Sequence, residues 1–177
     1  MLVEMKTPYT QVQRRLEPGD VLFLHTDGFE ESKRRLRGPD FQVIPGDEDF
    51  SEKRIDEIIA AVFNRQTYAL ARAQNPLPEE ELVFDFSSCQ GSVSEAVLAL
   101  VAVEKVYRMV PDPGLAPESR VTMETKVADF LKAHFMQYPR YFAHAIDGAA
   151  GKGTVTFTNA LEDDQYDDLT IIALRRK

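Results

Sequence analysis

The chain has 177 residues, of which 44% are hydrophobic and 28% are charged. This length suits one domain that buries most of its apolar surface without disulfides or metals as staples. The longest apolar run, 96–103, is far shorter than the roughly 20 residues of a membrane span. The net charge of −8 argues against nucleic acid and anionic membranes as main partners.

The single cysteine and the N-terminal residues indicate the cellular compartment of the protein. Cys89 has no second cysteine with which to form an internal disulfide. The N-terminus also lacks the basic segment and long apolar stretch of a secretion signal. We therefore expect the cytoplasm.

The first elements predicted along the chain are a hairpin and a loop. Residues 11–16 alternate like a strand, and the turn signal Glu-Pro-Gly-Asp at 17–20 leads into the apolar run Val21–His25. Such a run is typical of a strand buried on both faces. Prolines and glycines predict a loop over 38–49.

Three helices are predicted in the middle of the chain. The first begins near Asp49 or Ser51, where Asp49 and Glu52 have capping-box spacing. The second begins at Ser92, which forms a capping box with Glu95, and it is apolar nearly all round and therefore buried. The third covers about 118–138. The apolar faces of the first and third helices carry Ile55, Ile58, Ile59, Val62 and Phe63, and Val127, Phe130, Leu131, His134 and Phe135.

Further strands are predicted at 82–86, 154–158 and 169–174, with a glycine-rich connection over 148–153. Strands therefore flank a helix-rich middle, which predicts an α+β fold whose terminal strands share one sheet. Residues from about 70 to 150 are interpreted as a helix-rich insertion. The charge runs at 33–37 and 162–168 are typical of a solvated face.

Carboxylates stand at the ends of two predicted strands. Asp27 follows the strand Val21–His25, and Asp167 and Asp168 precede the last strand. If these strands are antiparallel neighbours, the carboxylates converge at one sheet edge and need a shared proton or a cation. Oxygen ligands of this kind suit Mg²⁺ or Mn²⁺, and Gly28 would let the backbone turn closely around an ion. The alternative is that these residues only cap turns and strand ends.

Other candidate groups give weaker signals. His25 adjoins the first carboxylate but is expected to be packed or hydrogen-bonded, and His134 is expected in the core. Cys89 resembles a nucleophile only superficially, because the sequence places no histidine or acid to activate it. The glycines and lysine of 148–154 lack the spacing of a phosphate-binding loop and predict a turn.

Two motifs resemble one family. Residues 16–31 (Leu-Glu-Pro-Gly-Asp-Val-Leu-Phe-Leu-His-Thr-Asp-Gly-Phe-Glu-Glu) resemble a stretch of the metal-dependent PPM (type 2C) protein phosphatases, nearest to their bacterial SpoIIE/RsbU-like branch. Residues 167–175 (Asp-Asp-Leu-Thr-Ile-Ile-Ala-Leu-Arg) resemble the closing strand of the same family. Both motifs occur in the family's order.

The resemblance implies a partial PPM-type β-sandwich with flanking helices, and a phosphatase for phosphoserine or phosphothreonine. In the complete domain two Mg²⁺ or Mn²⁺ ions activate a water for in-line attack on phosphorus. Asp27 and Asp167 map to metal ligands, and Gly28, Asp168 and Thr170 map to motif positions beside them. The implied substrate is a phosphorylated regulator, such as a protein of the anti-anti-sigma type.

The chain also departs from the family. A further metal-binding Asp, an early Asp-Gly turn and a Gly-His-Gly-like segment are missing, and Asp147-Gly148 lies on the wrong side of the first motif. We therefore expect the C-terminal part of a larger phosphatase, with little or no activity of its own. Half a sandwich exposes apolar strands, which predicts a homodimer, a strand-swapped assembly or cover by the middle helices. The alternative function is a non-catalytic interaction or dimerisation module.

Overall fold

A computed structural model describes residues 13–73, 82–111, 120–147, 151–158, 160–164 and 168–177 of the chain. The fold is a mixed α+β arrangement, as predicted. The strands are β1 (Val21–His25), β2 (Lys33–Arg37), β3 (Val43–Asp49), β4 (Thr67–Leu70), β5 (Leu82–Asp85), β6 (Met109–Pro111), β7 (Arg120–Glu124), β8 (His144–Asp147), β9 (Thr154–Thr158), β10 (Ala160–Glu162) and β11 (Ile171–Arg175).

The helices differ widely in length. They are α1 (Asp27–Glu30), α2 (Glu52–Asn64), α3 (Val93–Arg108), α4 (Thr125–His134) and α5 (Tyr138–Tyr141). None of the described helices is long and apolar enough to cross a bilayer. The described strands form four two-stranded sheets (β1–β11, β2–β3, β4–β5 and β6–β10) and one antiparallel three-stranded sheet in the order β7–β9–β8.

The terminal strands pair with each other, as the sequence predicted. β1 and β11 form an antiparallel ribbon in which Val21 lies opposite Arg175 and His25 opposite Ile171. The predicted hairpin between 11–16 and β1 is wrong, because the described residues 13–16 form no strand. The turn at 17–20 docks on the end of β11 instead, where the Gly19 amide donates to the Arg176 carbonyl at 3.0 Å.

Burial of β1 on both faces was also a wrong prediction. One face of the ribbon packs on the helices, with Phe23 against Phe63 of α2 at 6.4 Å between ring centroids, and β11 contacts α3. The opposite face is open. It carries two cross-strand pairs, Leu22 opposite Leu174 and Leu24 opposite Ile172, which are 36–53% exposed. We call these four side chains the outer apolar face.

Helices α2 and α3 form the centre of the described core. The predicted apolar face of α2 is confirmed, with Ile55, Ile58 and Val62 buried. The Ser92–Glu95 capping box of α3 is confirmed as well. The box predicted from Asp49 and Glu52 does not form, because Asp49 ends β3 and Ser51 is the N-cap of α2.

Two predicted boundaries are corrected by strand pairing. The stretch 43–49 is not a loop but β3, and its Asp47, Glu48 and Asp49 face Arg35, Arg34 and Lys33 of β2. Opposite charges at facing positions stabilise such a pair, and an edge strand tolerates Pro45 and Gly46. The start of the predicted third helix is strand β7, so that α4 begins only at Thr125.

An aromatic cluster extends the core through the middle of the chain. Phe84 stacks on Phe135 at 4.8 Å, and Phe142 meets Phe157 edge-on at 4.7 Å. The predicted apolar face of α4 contributes Val127, Phe130 and Leu131, all buried. The described part of 70–150 contains α3, α4 and α5 together with β5 to β8, and α3 packs on α2.

Candidate functional site

Thr26 joins the two carboxylate motifs. Its hydroxyl donates to the Asp168 carbonyl at 2.9 Å and accepts from the Thr170 amide at 3.1 Å. Its own amide donates to the Thr170 carbonyl at 3.0 Å. The ribbon is thus continued by one pair beyond His25 and Ile171, and residues 26–28 and 168–170 meet at one end of it. We call this end the motif junction.

Asp27 is the first residue of α1 and is exposed. Its carboxylate forms no hydrogen bond or ion pair with the described residues. The next two residues, Gly28 and Phe29, are buried, and Phe29 is only 1% exposed. Phe29 therefore anchors α1 in the core while Asp27 faces water. Gly28 lies within the single turn of α1.

The second motif is described only in part. Asp167 lies outside the described residues. Asp168 and Thr170 are exposed and are positioned through their backbones by Thr26. Within the described ranges, no three side chains of His, Cys, Asp or Glu come together as a metal-binding group. Exposed Asp carboxylates still suit Mg²⁺, which keeps several waters and uses one or two protein carboxylates.

His25 is hydrogen-bonded, as predicted. Its Nδ1 lies 3.1 Å from the Thr26 carbonyl oxygen, which can only accept, so Nδ1 donates. The ring meets Phe29 edge-on at 6.4 Å, and Nδ1 lies 3.8 Å from the Glu30 carboxylate. His25 thus supports the first turn of α1.

The predicted solvated face of the charge runs is wrong for Arg34, Arg37 and Asp163, which are buried, whereas Lys33, Arg35 and Asp164 are exposed as predicted. The two runs contact each other through Asp163. Asp163 bonds the buried Arg37 through both oxygens and accepts from the Arg35 amide at 2.8 Å. Glu162 accepts from Lys105 at 2.7 Å. These carboxylates are occupied by cations of the protein itself, so they are not candidate metal ligands.

Glu48 forms a second part of this charged region. It accepts from Arg34 at 2.8 Å, Arg54 at 2.5 Å and the Ala73 amide at 2.8 Å. Burial alone would raise the pKa of Glu48, but the hydrogen bonds from Arg34, Ala73 and Arg54, together with the charge of Arg34, lower it below its ordinary value. Glu48 is therefore ionised at neutral pH. The Arg34 and Arg54 guanidiniums also lie 5.8 and 5.0 Å from the centre of the Tyr107 ring.

The third part of the region lies at the end of α3. Glu104 and Arg108 are 1% and 3% exposed and pair one helical turn apart. Ser32 donates to Glu104 at 2.5 Å. Burial would lower the pKa of Arg108, but Glu104 and Glu162 outweigh it and raise that pKa. We call the half-buried Glu48 and the buried Arg34, Arg37, Glu104, Arg108 and Asp163 the buried ion-pair network.

Cys89 has neighbours that the sequence did not indicate. Its Sγ lies 3.8 Å from His134 Nε2, and His134 Nδ1 lies 2.9 Å from the Asp85 carbonyl. The prediction that no histidine is near Cys89 is therefore wrong. Burial, aided by the charges of Glu95 and Asp85, nevertheless raises the pKa of Cys89 to about 11. The thiol stays protonated at neutral pH, which argues against a nucleophile.

The chain was also compared with known proteins. No protein-family model, curated protein or solved structure matches it.

Proposed function

We propose that the chain is part of a metal-dependent protein serine/threonine phosphatase of the PPM (type 2C) kind. It acts in cytoplasmic signalling on phosphoserine or phosphothreonine, with a regulator of the anti-anti-sigma type as its substrate class. The observation that carries the proposal is the set of three hydrogen bonds by which Thr26 ties the Thr-Asp-Gly motif to the Asp-Asp-Leu-Thr motif. The two motifs that resemble the family are thereby neighbours in space.

In this proposal Asp27 and Asp167 hold Mg²⁺ or Mn²⁺, two ions in the complete domain. When bound, the ions supply an activated water and neutralise charge on the phosphoryl group. Thr26 sets the distance between the motifs through its hydroxyl. Phe29 fixes α1 so that Asp27 stays at the surface, and Asp168, Gly28 and Thr170 position the ligands.

The ribbon fits the finer fold proposal, a partial PPM-type β-sandwich. Helices α2 and α3 cover only its inner face, and the outer apolar face is open. A second sheet would bury Leu22, Leu24, Ile172 and Leu174. The further metal-binding Asp motif that the family carries before the Thr-Asp-Gly motif is also missing from the sequence. We therefore propose that further ligands come from outside this chain and that the chain alone has little or no activity.

The outer apolar face favours a second candidate, a non-catalytic interaction or dimerisation module. Four large apolar side chains in two cross-strand pairs form one contiguous patch. Patches of this kind mark contacts between proteins, and a two-fold dimer would place the same patch on itself. In this candidate Asp27 and Asp168 bind no metal.

The two candidates are separated by calorimetric titration with Mn²⁺. The proteins are the wild type, Asp27→Asn, Asp167→Asn, the double variant, and the control Asp164→Asn. Asp164 belongs to the same acidic run, and its side chain is 77% exposed beside Arg35. The phosphatase proposal expects binding by the wild type and the control, and none by the double variant.

A double variant that binds as the wild type does would overturn the metal site at Asp27 and Asp167 and favour the scaffold. A wild type that binds no Mn²⁺ would mean that the site needs the ligands from outside this chain or does not form, and the scaffold would then have equal weight. Hydrolysis of a phosphoserine peptide with Mn²⁺ tests the second part of the proposal. We expect no turnover by this chain alone. Turnover that disappears in Asp27→Asn would refute the claim of inactivity but support the phosphatase.

A further inference from the structure

A groove of about 800 Å³ lies between the first half of α3 and β11. Its floor is apolar, and two basic residues stand at its rim. The apolar lining residues are Val93, Val97, Leu98 and Ala173, Ser92 and Ser94 line one end, and the exposed Lys126 and Arg175 stand at the rim. No residue of β1 or α2 lines it, so it lies on the side of β11 that faces away from β1. We call it the β11 groove.

The edge of β11 above this groove is open. The hydrogen bonds from Thr26 to Thr170 and from Arg176 to Asp20, both 3.0 Å, mark the bonded pairs at the two ends of the ribbon. Because bonded and non-bonded pairs alternate in an antiparallel ladder, residues 172 and 174 also bond to β1. The backbone groups of residues 171, 173 and 175 then point away from β1. Among the described strands, none pairs with this edge.

Apolar side chains stand on both sides of the open edge. Ala173 lies on the inner face with the groove, while Ile172 and Leu174 lie on the outer face and are 51% and 53% exposed. An added strand would therefore bury apolar side chains on both of its faces. It would also satisfy the outward N–H and C=O groups, which is how extended peptides bind to sheet edges.

The charge at the rim of the groove indicates which kind of added strand would bind. Lys126 and Arg175 are exposed and form no ion pair with the described residues. The first turn of α3 carries Glu95, whose carboxylate accepts from the Gln90 and Ser92 amides at 3.0 and 2.8 Å, so Lys126 and Arg175 alone supply the basic charge of the groove. The chain as a whole carries a net charge of −8, so this basic rim is a local exception. The basic rim therefore complements carboxylates on a binding partner.

We propose that the β11 groove binds an extended acidic segment of a partner protein, which adds as a strand to the free edge of β11. Its apolar side chains fill the groove over Val97 and Leu98, and its carboxylates pair with Lys126 and Arg175. This docking site is separate from the motif junction and does not depend on metal binding there.

The probe is the fluorescein-labelled peptide Asp-Val-Ile-Val-Thr-Val-Asp, followed by fluorescence anisotropy on the full chain. Two control peptides separate the contribution of charge from that of backbone hydrogen bonding. One carries Lys in place of both Asp residues, and the other carries Pro in place of the central Val, which removes a backbone donor. We expect the acidic peptide to bind, and each control to bind about tenfold more weakly, as the loss of about 1.4 kcal/mol would give. No binding of the acidic peptide at millimolar concentration, or equal binding of all three, overturns the proposal.

Charge reversal in the protein provides the matched test. In Lys126→Glu/Arg175→Glu we expect the acidic peptide to lose affinity and the Lys-containing peptide to gain it. The gain also shows that the variant is folded. The control is Lys132→Glu, which changes an exposed lysine of α4 outside the groove and is expected to leave binding unchanged.

Light scattering distinguishes a second copy of the chain from a partner peptide. A dimer that is lost in Lys126→Glu/Arg175→Glu, and that the acidic peptide fails to displace, would assign the groove to self-association and overturn the proposal. An unchanged peptide affinity in that variant would overturn it as well.

Discussion

The buried ion-pair network and the β1–β11 ribbon reverse the usual distribution of residues. In the network, Arg34 and Arg37 are 1% and 4% exposed, whereas Leu24 and Leu174 on the ribbon are 51% and 53% exposed. The arginines are buried because Glu48 and Asp163 neutralise and hydrogen-bond them. The leucines are exposed because the described helices cover only the other face of the ribbon. In these two regions burial thus follows the availability of a partner more than the type of residue.

The two regions are also expected to have different roles, the network in folding stability and the outer apolar face in association. Removing one member of a buried pair leaves an uncompensated charge, so the network is where single substitutions destabilise the fold most. Removing an exposed leucine leaves no cavity, so the outer apolar face contributes little to folding. Its expected contribution is to contacts with another surface.

The largest effect is expected from Arg37→Met, which leaves the Asp163 carboxylate buried with one main-chain donor. We expect a loss of about 3–5 kcal/mol in the free energy of unfolding, measured with urea. The control Arg35→Met removes an exposed side chain from the same strand and is expected to cost less than about 1 kcal/mol. Arg37→Met/Asp163→Leu replaces both charges and should recover most of the loss. A single variant as stable as the wild type would show that the pair is not buried.

The next effect is expected at Glu48. Glu48→Gln weakens three hydrogen bonds, two of them from arginines, and should cost about 2 kcal/mol of unfolding free energy. The folded pKa of Glu48 lies below its ordinary value of 4.5, so its contribution is complete above that pH and is lost as the pH falls through the folded pKa. Urea midpoints measured from pH 7 down to pH 3 check this. A decline below pH 4.5 that is equally steep in Glu48→Gln would contradict the assignment.

A smaller effect is expected at the motif junction. Thr26→Val keeps the shape of the side chain but removes both hydroxyl hydrogen bonds. We expect a loss of about 1–2 kcal/mol in unfolding free energy, together with weaker Mn²⁺ binding. Thr26→Ser retains the hydroxyl and should behave as the wild type in both measurements. Equal behaviour of the Val and Ser variants would mean that the hydroxyl does not hold the motifs together.

The smallest effect on stability is expected from Leu24→Gln/Leu174→Gln on the outer apolar face. The unfolding free energy should stay within about 0.5 kcal/mol of the wild type. Self-association, followed by sedimentation over a range of concentrations, should decrease. A loss of stability similar to that of Arg37→Met would show that this face is covered within the folded chain.

Local signals predicted the elements on which the motif junction depends. The apolar runs gave β1 and β11, and the meeting of their ends followed from antiparallel pairing. The Ser92–Glu95 box fixed the start of α3, since both partners lie within one helical turn. In contrast, β3 was not predicted, because Pro45 and Gly46 are typical of a loop. Its three acidic residues nevertheless face three basic residues of β2.

The network was missed because its partners are far apart in the chain. Arg37 and Asp163 are 126 residues apart, and Ser32 and Glu104 are 72 apart. Only tertiary packing shows which members of two opposite charge runs become buried. The contact between Cys89 and His134 was not predicted for the same reason. The role of Thr26 could have been inferred, because a threonine at the end of a paired strand can bond across to its neighbour.

The most direct test of the motif junction as a cation site is paramagnetic broadening by Mn²⁺ in an amide ¹H–¹⁵N spectrum of the wild-type chain. Substoichiometric Mn²⁺ should broaden the amides of residues 26–28 and 168–170 together, because Thr26 holds the two segments side by side. The amides of Glu48 and Asp163 should stay sharp, since arginines already occupy those carboxylates. Broadening of only one motif, or broadening centred on the buried ion-pair network, would contradict the account.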